Sequence, residues 1–214
     1  MPSTVPSTSL IAWPAGESGY LIDVPQADPA LVAQGLRTMA GRRRIQLVDV
    51  VPGLSTVLVV LADPMPYPLF RVLLAEIEQE PVEAAADTGI ITLDVRYDGP
   101  DLEEVASLTG LSVREVVEIH TGTDFHAALS GFAPGFVYLT GVPEQLRVPR
   151  RSEPRSGVRG GSVALADQFT AVYPRRSPGG WRLIGSTTAR LWDEKADPPA
   201  VIRPGMTVRF RPVV

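Results

Sequence analysis

Two histidines, His120 and His126, are the side chains of this 214-residue sequence best suited to moving a proton near neutral pH. They stand six apart, with no cysteine anywhere and no HExxH pattern, so their spacing does not describe a zinc site and no metal is expected. His120 is expected to close a short helix, where its charged form favours the dipole. His126 alternates with Phe125 and Ala127 on a strand and points to the other face. A Ser-His-Asp triad of Ser177, His120 and Asp124 can be drawn, but no GxSxG elbow accompanies it. His120 is the candidate catalytic group.

Three segments gather donors and apolar walls. RRSPGGWRLIGST, residues 175–187, sets two glycines against Trp181 behind a Ser-Pro and two arginines. Gly179 and Gly180 there allow positive φ and close approach, and Ser177 with Arg175 and Arg176 supplies donors at the rim; a tight turn with Trp181 buried in the barrel is the alternative. In GFAPGFVYL, residues 131–139, Pro134 and Gly135 make a tight bend that holds Phe132, Phe136 and Tyr138 as a wall; a corner of the core is the alternative. VPRRSEPRSGVRGGS, residues 148–162, concentrates Arg150, Arg151, Arg155 and Arg159 among two prolines and three glycines. Such a stiff loop either clamps a carboxylate or phosphate by paired donors or is simply solvated. No Walker A or GxGxxG pattern occurs, so the chain has no nucleotide cradle of those kinds.

These segments need a scaffold, and the chain is long enough for one. It is 44% hydrophobic and 21% charged, its formal net charge is -4 and its pI about 5.3, which disfavours a polyanion partner or an anionic membrane surface. The absence of cysteine fits a reducing cytoplasm. MPSTVPSTSLIAW has neither basic nor apolar signal regions, and the longest apolar run, residues 54–62, is too short to span a bilayer. Residues 1–8 are expected to be loose. SLIAWPAGESGYLIDV then reads as strand, turn and strand, Asp28-Pro29 starts a helix that Gly41 stops, IQLVDVV and STVLVVL pair as a hairpin, and PYPLFRVLLAEIEQE is a second helix. Residues 80–89 read as a linker. ITLDVRYDG opens a second unit, Asp101 and Ser112 cap two short helices, and Ser112 with Glu115 forms a capping box. Beyond Thr123 come short strands in DFHAALSGF, FVYLTG, GSVALA, FTAVYP, WRLIG, TARLW and TVRFRPVV, the pattern of a barrel or sandwich. The expected domains are residues 1–85 and 86–214.

GFAPGF, VPRRSEPR, the GSV that follows, YP, SPGGW and LIG, in that order, resemble the family of the B-type 5-oxoprolinase subunit, which also carries the name allophanate hydrolase subunit 1 and includes a bacterial histidine-kinase inhibitor. The resemblance runs from about Ile11 to the end. It implies an α+β N-terminal domain followed by a cyclophilin-like β-barrel. It further implies an auxiliary subunit, inactive alone, of an ATP-dependent 5-oxoprolinase that opens 5-oxoproline to glutamate, with ATP used by the assembled complex. The implied partners are a companion cyclophilin-like subunit, of the C-type in 5-oxoprolinase or the allophanate hydrolase subunit 2 type, and a third, metal-assisted lactam-cleaving subunit; the carboxyltransferase part of urea amidolyase carries both halves in one chain. The site implied between paired barrels is a shared pocket for a small anion, which would receive as its half Phe132, Pro134, Gly135, Phe136, Tyr138, Arg150, Arg151, Tyr173, Ser177, Gly179, Gly180 and Trp181 from this chain, with His120 facing it.

Where the family pattern is Val-Pro-Ala-Gly-Ser, this chain has VRGGS, with Arg159 in the proline position. No Ser-Ser-Lys centre of the kind that amidase chemistry needs is found. Two other readings stand beside the enzyme subunit. One is a non-catalytic regulator that binds a histidine kinase through the same barrel. The other is a helix-turn-helix DNA reader in DLEEVASLTGLSVREVVEIH, where Ala106, Gly110 and Ser112 have suitable spacing; its second helix would set Arg114 against Glu115 and Glu118, so a helical hairpin packed on the barrel is the better account.

Overall fold

The computed structural model describes residues 10–25, 28–79 and 89–214. The expected loose start, and the expected linker apart from Gly89, lie outside the described residues. The chain divides into two compact units, Met1–Ala86 and Asp87–Val214.

In the first unit β1 (Ile11–Pro14) and β2 (Gly19–Asp23) pair antiparallel, as the sequence predicts. Asp28 caps α1 (Pro29–Arg43), its carboxylate accepting the Ala30 N–H at 2.8 Å. The helix does not stop at Gly41. It continues to Arg43 and is closed by Arg44 in the left-handed region at φ 55°. A lone glycine costs a helix only about 1 kcal/mol relative to alanine, and burial of Val32, Leu36 and Met39 on one face outweighs it. The hairpin of β3 (Leu47–Pro52) and β4 (Thr56–Leu61) and the helix α2 (Tyr67–Gln79) follow as expected. The sheet order is β1-β2-β4-β3, with Ile22, Val57 and Val59 in one core with Leu36, Phe70 and Leu74.

The second unit contains β5 (Ile90–Val95), α3 (Leu102–Thr109), α4 (Val113–Thr121), β6 (Phe125–Ser130), β7 (Val137–Thr140), a 3-10 turn at Glu144–Leu146, β8 (Arg155–Val158), β9 (Ser162–Ala166), β10 (Phe169–Val172), β11 (Ser177–Gly179), β12 (Arg182–Ser186) and β13 (Thr207–Pro212). Seven strands form one sheet in the order β12-β9-β10-β7-β6-β13-β5, antiparallel except for β13 with β5. Its two ends meet where Arg96 and Ser186 exchange backbone hydrogen bonds of 2.8 Å, so the sheet is a nearly closed barrel. Val105 of α3 and Val116 of α4 join the barrel core, which makes the two short helices a hairpin on the barrel. The capping box at Ser112 and Glu115 is present.

Strands β9 and β10 are buried along their whole length because both faces are covered. Val163, Leu165 and Val172 face the barrel interior, whereas Ala164, Ala166, Phe169 and Ala171 belong to a second cluster with Phe136 and Trp181. TARLW forms no strand; Trp192 makes an isolated bridge to Ala200. The pair β8 and β11, by contrast, arises in segments that read as loops, because three or four residues broken by Gly and Pro show no alternation.

The seam of the barrel explains two glycines and one aspartate. A Cβ on Gly99 would lie 2.3 Å from the Leu183 oxygen, and one on Gly185 would lie 2.6 Å from the Arg96 oxygen, so backbone touches backbone where the chain crosses β12. Asp101 precedes α3 but makes no side-chain cap. Its carboxylate, 2% exposed as a residue, instead accepts the Leu183 N–H at 2.7 Å and the guanidinium groups of Arg155 at 2.7 Å and Arg151 at 3.1 Å. Burial works to raise its pKa, but the bonds from Arg155 and Leu183 and the charges of Arg155 and Arg151 outweigh that and hold the carboxyl below the usual carboxylate range. Removing one partner of a buried ionic cluster leaves uncompensated charge. Asp101→Ala is expected to destabilise the barrel by about 3 to 5 kcal/mol, read as a shifted urea midpoint, and Asp101→Asn by less.

Candidate functional site

The aromatic residues singled out in the sequence come together on the outer face of β7, β9 and β10. Phe136 lies at the centre, with ring centroids 5.2 Å from Phe132, 5.1 Å from Tyr138, 5.4 Å from Tyr173 and 5.6 Å from Trp181, all edge to face. Phe136, Tyr173 and Trp181 are buried, Tyr138 is half-buried and Phe132 is 60% exposed. Phe132 also holds φ at 68°, a conformation that costs a bulky residue about 1 to 3 kcal/mol. Gly135, at φ 79°, brings the bend against Trp192 and Pro174, where a Cβ would lie 2.9 Å and 3.3 Å from theirs. Pro134 is exposed beside it.

Behind this layer the SPGGW segment serves as a roof. Ser177 and Gly179 belong to β11 and pair with Val158 and Arg155 of β8. Neither Gly179 nor Gly180 has positive φ, contrary to expectation, so the reason for glycine is space alone. A Cβ on Gly179 would stand 2.2 Å from the Tyr173 hydroxyl, whereas at Gly180 the nearest atom is 3.6 Å away. The Gly180 carbonyl accepts the Arg151 N–H at 2.8 Å, tying the arginine loop to the roof.

The arginines divide by partner. Arg150 lies 5.8 Å over the Trp181 ring and 3.7 Å from Asp167. Arg151 and Arg155 converge on Asp101, Arg151 also lies 3.6 Å from Glu104, and Arg182 pairs with Glu104 at 2.5 Å. Arg151 Nε and Arg155 Nη1 are buried without a partner among the described residues, so this network has more donors than acceptors. Asp101, Glu104 and Arg182 are members that sequence reasoning missed. Nothing local distinguishes Asp101 from an ordinary helix cap.

His120 is not brought to this surface. It is fully buried in the barrel, stacked on Phe210 at 4.6 Å, so the expectation that it faces a pocket beside Arg150 and Ser177 gives way to a place in the core. The hydrogen bonds identify its tautomer. Thr170 Oγ1 donates to the Ala164 carbonyl at 3.0 Å and therefore accepts from His120 Nε2–H at 3.0 Å, which leaves Nδ1 to accept the Tyr97 hydroxyl proton at 2.7 Å. The neutral ring is satisfied at both nitrogens, and burial lowers its pKa to about 3. Asp124 is bound by Arg209 at 2.6 and 2.7 Å and Ser177 Oγ donates to the Arg175 carbonyl at 3.4 Å, so the triad that can be drawn on paper is not assembled. His126 is exposed. Among the described residues no three His, Asp or Glu side chains gather to hold a metal ion, and no helix is long and apolar enough to cross a membrane.

A cleft of about 570 Å³ opens elsewhere on the second unit, between the turn at Arg159 to Ser162 and the segment from Ser186 to Ala189, with Asp94, Arg96 and Pro174 also in its wall.

The profile of the carboxyltransferase domain, subdomain C and D, matches residues 11–202. The chain belongs to this family. It is 39% identical over 190 residues to the B-type subunit of 5-oxoprolinase from Escherichia coli O157:H7, covering 82% of this chain and 87% of that one. The likeness read from GFAPGF through SPGGW therefore extends over most of the sequence. The solved structure of TTHA0988 superposes with a TM-score of 0.74 at 32% identity over 92% of this chain, which spans only 40% of that longer chain. The Kluyveromyces lactis urea carboxylase shares the fold, with a TM-score of 0.74 at 16% identity over 96% of this chain and 22% of its own.

Two outcomes follow for this family member. Gly179→Ala is expected to cost about 1 to 3 kcal/mol by displacing Tyr173, visible in near-UV circular dichroism, while Gly180→Ala stays within about 0.5 kcal/mol. The unfolded His120 titrates near 6.5 and the folded one near 3, so the unfolded chain alone binds that proton between these values. Its contribution to stability is complete above pH 6.5 and is lost progressively down to pH 3, at up to about 1.4 kcal/mol per pH unit. Urea midpoints at pH 7 and pH 5 are expected to differ less in His120→Gln than in the parent.

Proposed function

We propose that the chain is the auxiliary subunit of an ATP-dependent 5-oxoprolinase, inactive alone, and that its second unit is a cyclophilin-like barrel. The observation that carries this reading is the 39% identity to the B-type 5-oxoprolinase subunit across 87% of that protein. The buried, neutral His120 and the unassembled triad support a role in supplying a binding surface rather than a hydrolytic centre. On this reading the companion is the C-type subunit of 5-oxoprolinase, and a third subunit opens the lactam. The exposed, strained Phe132 and the rim residues Arg150 and Ser177 are the groups proposed to meet the companion near a joint site for a small anion. ATP is assigned to the assembly and not to this chain, whose sequence contains no Walker A or GxGxxG pattern.

The test is reconstitution with the two partner subunits, 5-oxoproline and ATP. Glutamate release is expected to fall to background when this chain is left out, and Phe132→Ala is expected to weaken co-elution with the companion. Undiminished release without the chain would overturn the reading in favour of a regulator that acts through the same barrel.

A further inference from the structure

Strand β4, TVLVVL, carries no polar residue after Thr56, a composition that belongs to strands covered on both faces, as β9 is in the second unit. In the first unit only one face is covered. Ile22, Val57 and Val59 pack into the core with Leu36 of α1 and Phe70 of α2. The positions that point the other way are apolar all the same, where an antiparallel sheet facing water alternates to polar residues. Pairing sets Trp13 opposite Leu21, Leu21 opposite Leu58 and Leu58 opposite Val51, so four apolar side chains stand in one row across all four strands. Trp13 is 57% exposed, Val51 41% and Leu21 37%.

The two edges of this sheet are guarded against an added strand. At β1, Pro14 has no N–H to offer, and just ahead of the strand the Leu10 N–H donates to the Glu78 carboxylate while the Leu10 carbonyl accepts from Arg71. At β3 the Val50 N–H donates to Asp49 Oδ1 at 2.7 Å and the Val50 carbonyl accepts from Arg37. Side chains of the unit thus occupy main-chain groups at both edges, which leaves the face as the surface a partner can use.

The charges beside the row select the partner. Asp23 lies on one side of it, opposite Ile11 and Thr56, and Asp49 lies on the other, opposite Val60. Asp23 Oδ2 accepts the Trp13 indole N–H at 3.0 Å and so fixes the ring in place before any partner arrives. Neither carboxylate has an ion-pair partner among the described residues. A second copy of the chain would bury these acids without cations, and an anionic lipid surface would repel them. Lysines or arginines on both sides of an apolar strip meet every group. We propose that this face docks a cationic amphipathic segment of another protein, with its apolar side chains on the row from Trp13 to Val51 and its Lys or Arg heads at Asp23 and Asp49. Nothing in this docking requires the 5-oxoprolinase reading, which glutamate release in the reconstituted enzyme tests separately.

The experiment is a backbone-amide NMR titration of the full chain with a short amphipathic peptide of leucine and lysine, and with its counterpart of leucine and glutamate. The lysine peptide is expected to shift the amides of β1 to β4 and the Trp13 indole N–H, with a Kd that rises with salt, and the glutamate peptide to leave them in place. Trp13→Ala is expected to raise the Kd about tenfold or more. Asp23→Asn with Asp49→Asn, which keeps the acceptors for Trp13 and Val50, is expected to raise it about threefold to tenfold. Because Trp13 and Asp49 are exposed, unchanged amide signals of the core residues report an intact fold. No shifts, an equal response to both peptides, shifts confined to the second unit, or an unchanged Kd in either variant would each overturn the proposal. Concentration-dependent shifts of the same amides in the chain alone would assign the face to a second copy, and loss of the Trp13 signal on phosphatidylglycerol vesicles would assign it to a lipid surface; either result overturns the proposal as well.

Discussion

One buried carboxylate organises the second unit. Asp101 sits where the segment after β5 crosses β12, and its two oxygens are shared between the Leu183 N–H of the barrel and the guanidinium groups of Arg155 and Arg151. The barrel seam and the β8–β11 roof are thereby anchored to the same anion. A charge this deeply buried is tolerable only when its lone pairs are met by donors, so each of these elements holds its position on condition that the others do. The aromatic layer under the roof depends on this arrangement in turn, because Gly179 can approach Tyr173 only where β11 is held.

The two faces of β9 and β10 separate two kinds of chemistry. On the inner face Thr170 binds a histidine that burial keeps neutral; on the outer face Ala164, Phe169 and Ala171 pack beneath Phe136 and Trp181. Period-two alternation makes these sets neighbours in the chain yet places them on opposite sides of a sheet. A histidine satisfied by Tyr97 and Thr170 contributes hydrogen bonds to the core and no proton transfer at its surface. On the outside of the unit the arginines differ by partner, Arg151 and Arg155 converging on Asp101 and Arg150 lying over Trp181.

Much of the scaffold was legible from residue order. Asp28-Pro29, the Ser112 and Glu115 box, the 3.6-residue spacing of Phe70, Leu73, Leu74 and Ile77, and the apolar strands from Phe125 to Val208 are local signals, legible because capping and side-chain periodicity are written in neighbouring residues. The motif series from GFAPGF to LIG was legible in the same way and led to the right family. The extent of α1 beyond Gly41 and the lack of a strand in TARLW were not, because each turns on packing that outweighs or fails to reward local propensity.

The order of residues alone thus determined most of the elements, the family and the gathering of aromatics and arginines into short segments. It did not determine which of those groups would be free to act. Asp101 looks like a helix cap and is a buried ion-pair hub; His120 looks like a proton carrier and is sealed in the barrel; four neighbouring arginines look alike, and three find acidic or aromatic partners. Those partners lie fifty or more residues away for Arg151, Arg155 and His120 bound to Thr170. Burial and long-range pairing set the charge state and availability of a side chain, and both are properties of the closed barrel rather than of any window of sequence.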